Sequence, residues 1–153
     1  VVPALYGFIP QTFCGELVGQ YCNEKTGRTD IVGDGDPMDI CVLTEKDLSH
    51  GDLLVDAIPI GGFRMIDGNQ ADDKIIAVLK NDTVYGHFEN IEDMPKVVVQ
   101  RLEHYFLTYK DMPGEDRKTE ITHVYSRDEA LEVIGKAITD YNNRFENIGL
   151  ILQ

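Results

Sequence analysis

The sequence predicts an α+β fold, a mainly antiparallel sheet or small barrel that is completed by helices late in the chain. Three observations carry this. Apolar, β-prone runs occupy residues 5–9, 40–43, 53–66 and 74–79, with a further one at 120–125. Two patterns with helical spacing fall after residue 94. Strands and helices do not alternate regularly, which argues against a parallel sheet built from βαβ units. No repeat and no change of composition divides the 153 residues, so residues 1–153 read as a single domain.

Residues 5–9 form a short strand that Pro10 closes. Residues 11–33 show no periodicity and carry the turn formers Gly15, Gly19, Asn23, Gly27, Asp30 and Gly33, so a long loop is expected there. Residues 40–43 are an unbroken apolar run, the mark of a buried strand. The run 53–66 is interrupted by Pro59 and by Gly61-Gly62, which predicts a bulge or sharp bend. Residues 74–79, with Ile75, Ile76 and Val78, make another strand, and the β-branched run 120–125 the last one.

The first helix starts near Pro95, a residue suited to a first turn, and carries Val98, Leu102, Tyr105, Phe106 and Tyr109 at helical spacing. The second opens on Ser126 and Glu129, a capping-box pair. Ala130, Val133, Ile134, Ala137, Ile138, Tyr141 and Phe145 then line one apolar face.

Composition excludes several classes of function. Asp and Glu number 27 against 14 Lys and Arg, a formal net charge of -13. Nucleic acid binding needs clustered Lys and Arg, so a polymeric phosphate ligand is disfavoured. A small anionic substrate is compatible only if cations stand between it and the protein. No apolar run reaches the ~18 residues of a membrane span, and no signal peptide is visible. Cys14, Cys22 and Cys41 are odd in number and lack a redox or metal-ligand spacing, so reduced thiols and a cytoplasmic location are expected. Val1 is not a natural initiator, which leads us to expect a preceding N-terminal segment.

Two acidic clusters carry the chemistry. Asp34-Gly35-Asp36-Pro37-Met38-Asp39 places three carboxylates within six residues, on a turn loosened by glycine and stiffened by proline, just before a buried strand. Like charges this close coexist in open water or around cations. Asp67-Gly68-Asn69-Gln70-Ala71-Asp72-Asp73-Lys74 forms the turn between two strands, so Asp67 and Asp72 can face a shared site. Oxygen donors without His or Cys suit Mg²⁺, Mn²⁺ or Ca²⁺ rather than zinc. An EF-hand does not fit, because Met38 and Asp39 occupy its fifth and sixth positions and strand follows. Each cluster taken alone is also compatible with an ordinary Asp-Gly surface turn.

The run from Asp34 to Ile40 resembles the signature of family I soluble inorganic pyrophosphatases. Other landmarks of that family follow in order: Tyr6-Gly7-Phe8-Ile9, Pro59-Ile60-Gly61-Gly62, Met65-Ile66-Asp67, Asp72 and Lys74, and finally His104-Tyr105-Phe106 with Tyr109-Lys110-Asp111. The 11–33 segment resembles a bacterial subgroup with an enlarged insertion. The resemblance implies an OB-like five-stranded β-barrel with flanking α-helices, from which the N-terminal strands are partly missing. It also implies Mg²⁺-dependent hydrolysis of pyrophosphate to two phosphates, with several ions per site and Mn²⁺ as an alternative metal. Asp34, Asp39 and Asp72 would hold the first metal, Asp39 would help hold the second, and Asp67 with Asp72 a further one. Asp36 would act on the attacking water. Tyr6, Lys74, Tyr109 and Lys110 would contact phosphate oxygens. A homo-oligomer, a hexamer among bacterial members, is implied as well. Two other readings stay open at this point: a cation-binding OB-like module without turnover, and another metal-dependent phosphohydrolase.

Overall fold

Side chains branched at Cβ pack well on a pleated sheet, and the runs rich in them become strands. In the computed structural model, residues 4–48, 53–116 and 118–152 are described, residues 147–152 by their backbone alone. The strands are β1 (Ala4–Phe8), β2 (Val32–Gly33), β3 (Asp39–Leu43), β4 (Ala57–Asp67), β5 (Gln70–Ala71), β6 (Lys74–Leu79) and β7 (Thr119–Ser126). The helices are α1 (Glu16–Thr26), α2 (Lys96–Thr108) and α3 (Arg127–Leu152).

Five longer strands run β1-β3-β6-β4, with β7 on the other edge of β4, and the short β5 and β2 extend the sheet. Pairing is mainly antiparallel, as expected. Parallel contacts join β3 to β6 and β2 to β5. The β3–β6 contact matters for function, because two parallel strands begin at the same end. Asp39 and Lys74, the first residues of each, therefore stand in register.

The bend expected at Pro59 and Gly61-Gly62 is a register shift between Pro59 and Gly61. A side chain is excluded here by close approach. A Cβ on Gly61 would lie 2.5 Å from the Tyr125 carbonyl oxygen, and one on Gly62 would lie 2.5 Å from the Tyr125 ring. A second shift, against β7, falls between Arg64 and Met65. Bulges of this kind increase twist and let a sheet curl.

Apolar side chains of the sheet pack in three clusters, a small one around Val42, Ala77 and Leu79 and two larger ones on opposite faces. On one face Phe63, Met65, Ile76 and Val78 pack with Leu102 and Phe106 of α2, and Cys41 belongs to this cluster. On the other, Ile66, Ile75 and Tyr125 pack with Val133 and Ala137 of α3, and with Val18 and Cys22 of α1. β6 is buried at every position. All three cysteines are buried and free.

Two sequence expectations need correction. The 11–33 segment is not a loop throughout, because it contains α1. Its start was invisible because Gly15, the residue before the helix, has no side chain with which to cap it. The cap comes from Asp140, far away in sequence, whose carboxylate accepts hydrogen bonds from the amides of Gly15, Leu17 and Val18. The expected Ser126–Glu129 box is also not what holds the start of α3. Ser126 ends β7, and its hydroxyl lies 2.7 Å from Asn90 Oδ1 and 3.0 Å from Glu92 Oε2. Glu129 pairs instead with Arg64.

Phe106 is the residue through which the core reaches the future site. It is 1% exposed and contacts the rings of Phe63, Tyr6, Tyr105 and Tyr109. Replacing it by alanine should cost about 3–5 kcal/mol of stability. Urea unfolding followed by circular dichroism should show a lower midpoint with an unchanged slope.

Candidate functional site

Four pieces of chain deliver polar and charged side chains to one end of the sheet. The turn before β3 brings Asp34 and Asp36. Gly35 takes a left-handed conformation at its apex (φ 76°), and the Asp36 amide donates to Asp34 Oδ1 at 3.0 Å. Asp39 opens β3 and Lys74 opens β6. The β4–β5 hairpin turns at Gly68 (φ 64°) and pairs Asp67 with Gln70. Asp72 lies in the two-residue break between β5 and β6. Tyr6 comes from β1, and Tyr109 and Lys110 follow the last residue of α2. Together these ten residues line a cavity of about 270 Å³.

Every residue singled out for the site from the sequence is in this cavity: Tyr6, Asp34, Asp36, Asp39, Asp67, Asp72, Lys74, Tyr109 and Lys110. The tyrosines are not core residues, being 52% exposed at Tyr6 and 41% at Tyr109. The Tyr109 ring stacks on Tyr105, with centroids 5.4 Å apart. Gln70 is the addition. Its register opposite Asp67 in the hairpin was the available signal.

The cavity holds five carboxylates and two ammoniums, an excess of three negative charges. Lys74 Nζ stands 2.6 Å from Asp39 Oδ2 and 2.8 Å from Asp72 Oδ1, and donates to the Tyr6 hydroxyl oxygen at 3.3 Å. Burial opposes its charge, but Asp72 and Asp39 outweigh that and raise its pKa. Lys110 Nζ lies 3.2 Å from Asp67 Oδ2 and 3.6 Å from Asp72 Oδ2. Burial raises the pKa of Asp72 despite Lys74. Burial also pushes Asp34 up to about 6, with the charges of Asp72, Asp36 and Asp39 adding to the effect.

This donor set fits a hard divalent cation. It offers only carboxylate, amide and phenol oxygens besides the two lysines, and its surplus charge is relieved by positive ions. No three acidic, His or Cys side chains among the described residues converge closely enough to enclose an ion. Lys74 sits between Asp39 and Asp72, in the position of a counter-charge.

Residues 1–142 match the family model described as inorganic pyrophosphatase. The chain is 50% identical over 148 residues to the inorganic pyrophosphatase of Chlamydia caviae, covering 94% of this chain and 68% of that protein. It is 49% identical to that of Chlamydia trachomatis serovar L2, covering 94% and 71%. Among solved structures, the inorganic pyrophosphatase of Helicobacter pylori superposes with a TM-score of 0.72 at 29% identity, covering 92% of this chain and 72% of that one. That of Thermus thermophilus gives 0.70 at 31% identity, covering 90% and 68%.

Behind the cavity lies a buried polar cluster that sequence reasoning missed. Asp73, the second residue of the break between β5 and β6, is buried and reaches Tyr125, which packs with α1 and α3. Asp73 Oδ2 accepts from the Tyr125 hydroxyl at 2.8 Å. Arg64, 2% exposed, donates to Glu129 at 2.7 Å, and its guanidinium lies over the rings of Tyr125 and Tyr21. Arg64 Nε and Asp73 Oδ1 have no hydrogen-bond partner among the described residues. A charged Arg in a strand reads as surface from sequence, and only burial shows otherwise. Burial pushes Asp73 up to about 7, against the pull of Arg64 and Tyr125. The unfolded carboxyl ionises near its ordinary value of 3.8 while the folded one stays protonated. The folded state therefore loses stability as pH rises from about 4 to 7. Asp73→Asn should remove that loss. Thermal melts should place the variant above the parent at pH 8 and near it at pH 4. A parent whose stability stays flat or rises over that window would contradict the assignment.

Proposed function

The chain belongs to the inorganic pyrophosphatase family and is a metal-dependent hydrolase of pyrophosphate, and we propose that it works with Mg²⁺ in the cavity formed by Asp34, Asp36, Asp39, Asp67, Asp72, Tyr6, Lys74, Tyr109 and Lys110. The single observation that supports these assignments best is the convergence of side chains spread from residue 6 to residue 110 on one cavity with a carboxylate excess. In this reading Asp34, Asp39, Asp67 and Asp72 hold the ions, with Asp39 and Asp72 each serving more than one. When bound, the ions supply positive charge that offsets the phosphate oxygens and acidifies water.

The chain's own groups do the rest. Asp36 is exposed to the cavity and, among the described residues, has no ammonium within 4 Å, so its carboxylate is available to take the proton from the attacking water. As the oxygen of that water bonds to phosphorus, the bridging P–O bond breaks and charge gathers on the departing phosphate. Lys110 and Tyr109 stand at the exposed rim, where they can donate hydrogen bonds to that group. Lys74 and the Tyr6 hydroxyl, already hydrogen-bonded to each other, donate to the phosphate under attack. The proton on Asp36 leaves with a phosphate product.

The same reading treats residues 1–153 as one pyrophosphatase domain that works in the cytoplasm as a homo-oligomer, a hexamer if the protein is bacterial. No helix among the described residues is long and apolar enough to cross a membrane. Light scattering after size exclusion tests the assembly.

Phosphate release from pyrophosphate with Mg²⁺ tests the chemistry. Asp39→Asn should abolish it while circular dichroism stays that of the parent, and a near-normal rate would remove Asp39 from the site. Asp36→Asn should keep Mg²⁺ affinity and lose rate by ~10²-fold or more, the usual range for a proton acceptor. Collapse of affinity would make Asp36 a ligand instead. Because a proton competes with the ion for Asp34, the half-saturating Mg²⁺ concentration should rise as pH falls below about 6. Asp34→Asn should flatten that rise.

A further inference from the structure

The turn that carries Asp34 and Asp36 is not held by its own residues alone. The Cys14 amide donates to the Asp36 carbonyl at 2.8 Å, and the Gly35 amide donates to the Cys14 carbonyl at 2.9 Å. Cys14 therefore grips the turn on both sides of its apex. The fit is close: a Cβ on Gly33 would lie 2.2 Å from the Cys14 carbonyl oxygen and 2.4 Å from that of Gly15. Any drift of Cys14 moves the turn with it.

What holds Cys14 comes from the far end of the chain. The next residue, Gly15, donates its amide to Asp140 Oδ2 at 3.0 Å. Leu17 donates to Oδ1 at 3.0 Å and Val18 to Oδ2 at 3.1 Å. One residue on the other side, the Phe13 amide donates to the Ala137 carbonyl, one turn earlier on α3. Asp140 is 5% exposed, and its carboxylate takes three amides of an otherwise uncapped helix start. The path from α3 to Asp36 thus consists of hydrogen bonds and two peptide units.

We propose that Asp140 is a positioning residue for pyrophosphate hydrolysis: by fixing the start of α1 it fixes Cys14, and through Cys14 the placement of Asp36. This rests on the reading of Asp36 as the group that takes the proton from water. It predicts that at saturating Mg²⁺ the loss falls on kcat and not on KM for pyrophosphate, because Lys74, Lys110 and the tyrosines come from elements that Asp140 does not touch, while Asp34, on the same turn, adds a higher Mg²⁺ requirement. A misplacement of the order of an ångström is enough to cost a large factor in rate.

A double-mutant cycle on the full chain separates this from a purely structural cap. The variants are Asp140→Ala, Asp36→Asn and the pair, each assayed for kcat and KM at saturating Mg²⁺, well below its melting temperature. Asp140→Ala is expected to lower kcat about tenfold or more, with KM for pyrophosphate within about twofold. In the Asp36→Asn background the same change should lower kcat by less than about twofold, because the group it positions is already gone. Asp140→Asn keeps one acceptor oxygen and should restore part of the rate. If the alanine variant does not fold, the cycle is run with this one, and a smaller but equally non-additive loss is expected. Equal fractional losses in both backgrounds, or no loss in kcat, would overturn the proposal and leave the role of Asp36 standing. An unreduced kcat in Asp36→Asn alone would overturn the base assignment, and the proposal with it.

Discussion

Five carboxylates share one small cavity, and their mutual repulsion is the constraint around which the rest of this structure is arranged. Two lysines answer part of that charge. Lys74 does so from a buried position between Asp39 and Asp72, where its own desolvation is tolerated because two anions face it. Asp34 faces no ammonium within 4 Å among the described residues, and burial first, with the charges of Asp72, Asp36 and Asp39 adding to it, raises its pKa. A pocket in this state is a poor host for a bare anion and a good one for an anion that arrives with cations. An acidic protein of net charge -13 that hydrolyses a highly charged anion is understandable on those terms.

The sheet makes the cavity possible by bringing strand beginnings and a hairpin to the same end. The parallel pairing of β3 and β6 aligns Asp39 with Lys74. The β4–β5 hairpin returns the chain so that Asp67 and Asp72 face each other across Lys110. Short, rigid attachments follow from this. Asp39 and Lys74 begin strands that are buried further along, and Asp34 and Asp36 ride on a turn that is tied to Cys14. The site is thus held by backbone hydrogen bonds and packing more than by contacts among its own side chains.

On the opposite face, polar groups are buried as well, with a different logic. Arg64 and Asp73 lie beside Tyr125 under α1 and α3, and each keeps one atom without a hydrogen-bond partner among the described residues. Apolar residues of similar volume would avoid that desolvation. The cluster links β4, β7 and the β5–β6 break to the two helices, the same break that presents Asp72 to the cavity. Together with Asp140 it makes α3 a common support for segments that meet at the site from both sides.

Much of this was legible from residue order. Apolar, β-prone runs located the longer strands, Pro59 and Gly61-Gly62 announced the bend in β4, two aspartate clusters pointed to a cation site, and the resemblance of Asp34–Ile40 and its companion landmarks to a known family implied the other members of the cavity. These are local signals, set by which backbone shapes and donor atoms neighbouring residues offer. What remained hidden depended on partners distant in sequence. α1 escaped notice because its cap is Asp140. The expected box at Ser126 did not form because Asn90, Glu92 and Arg64 offered those side chains other partners. Gln70 joined the cavity through hairpin register, and Arg64 and Asp73 became interior through packing. The sequence by itself determined the chemistry, since a carboxylate cluster and its lysines are written into residue types. Only the tertiary structure decided how those groups are oriented and supported, because burial and hydrogen-bond choice are settled by competition among residues that meet only after the chain has folded.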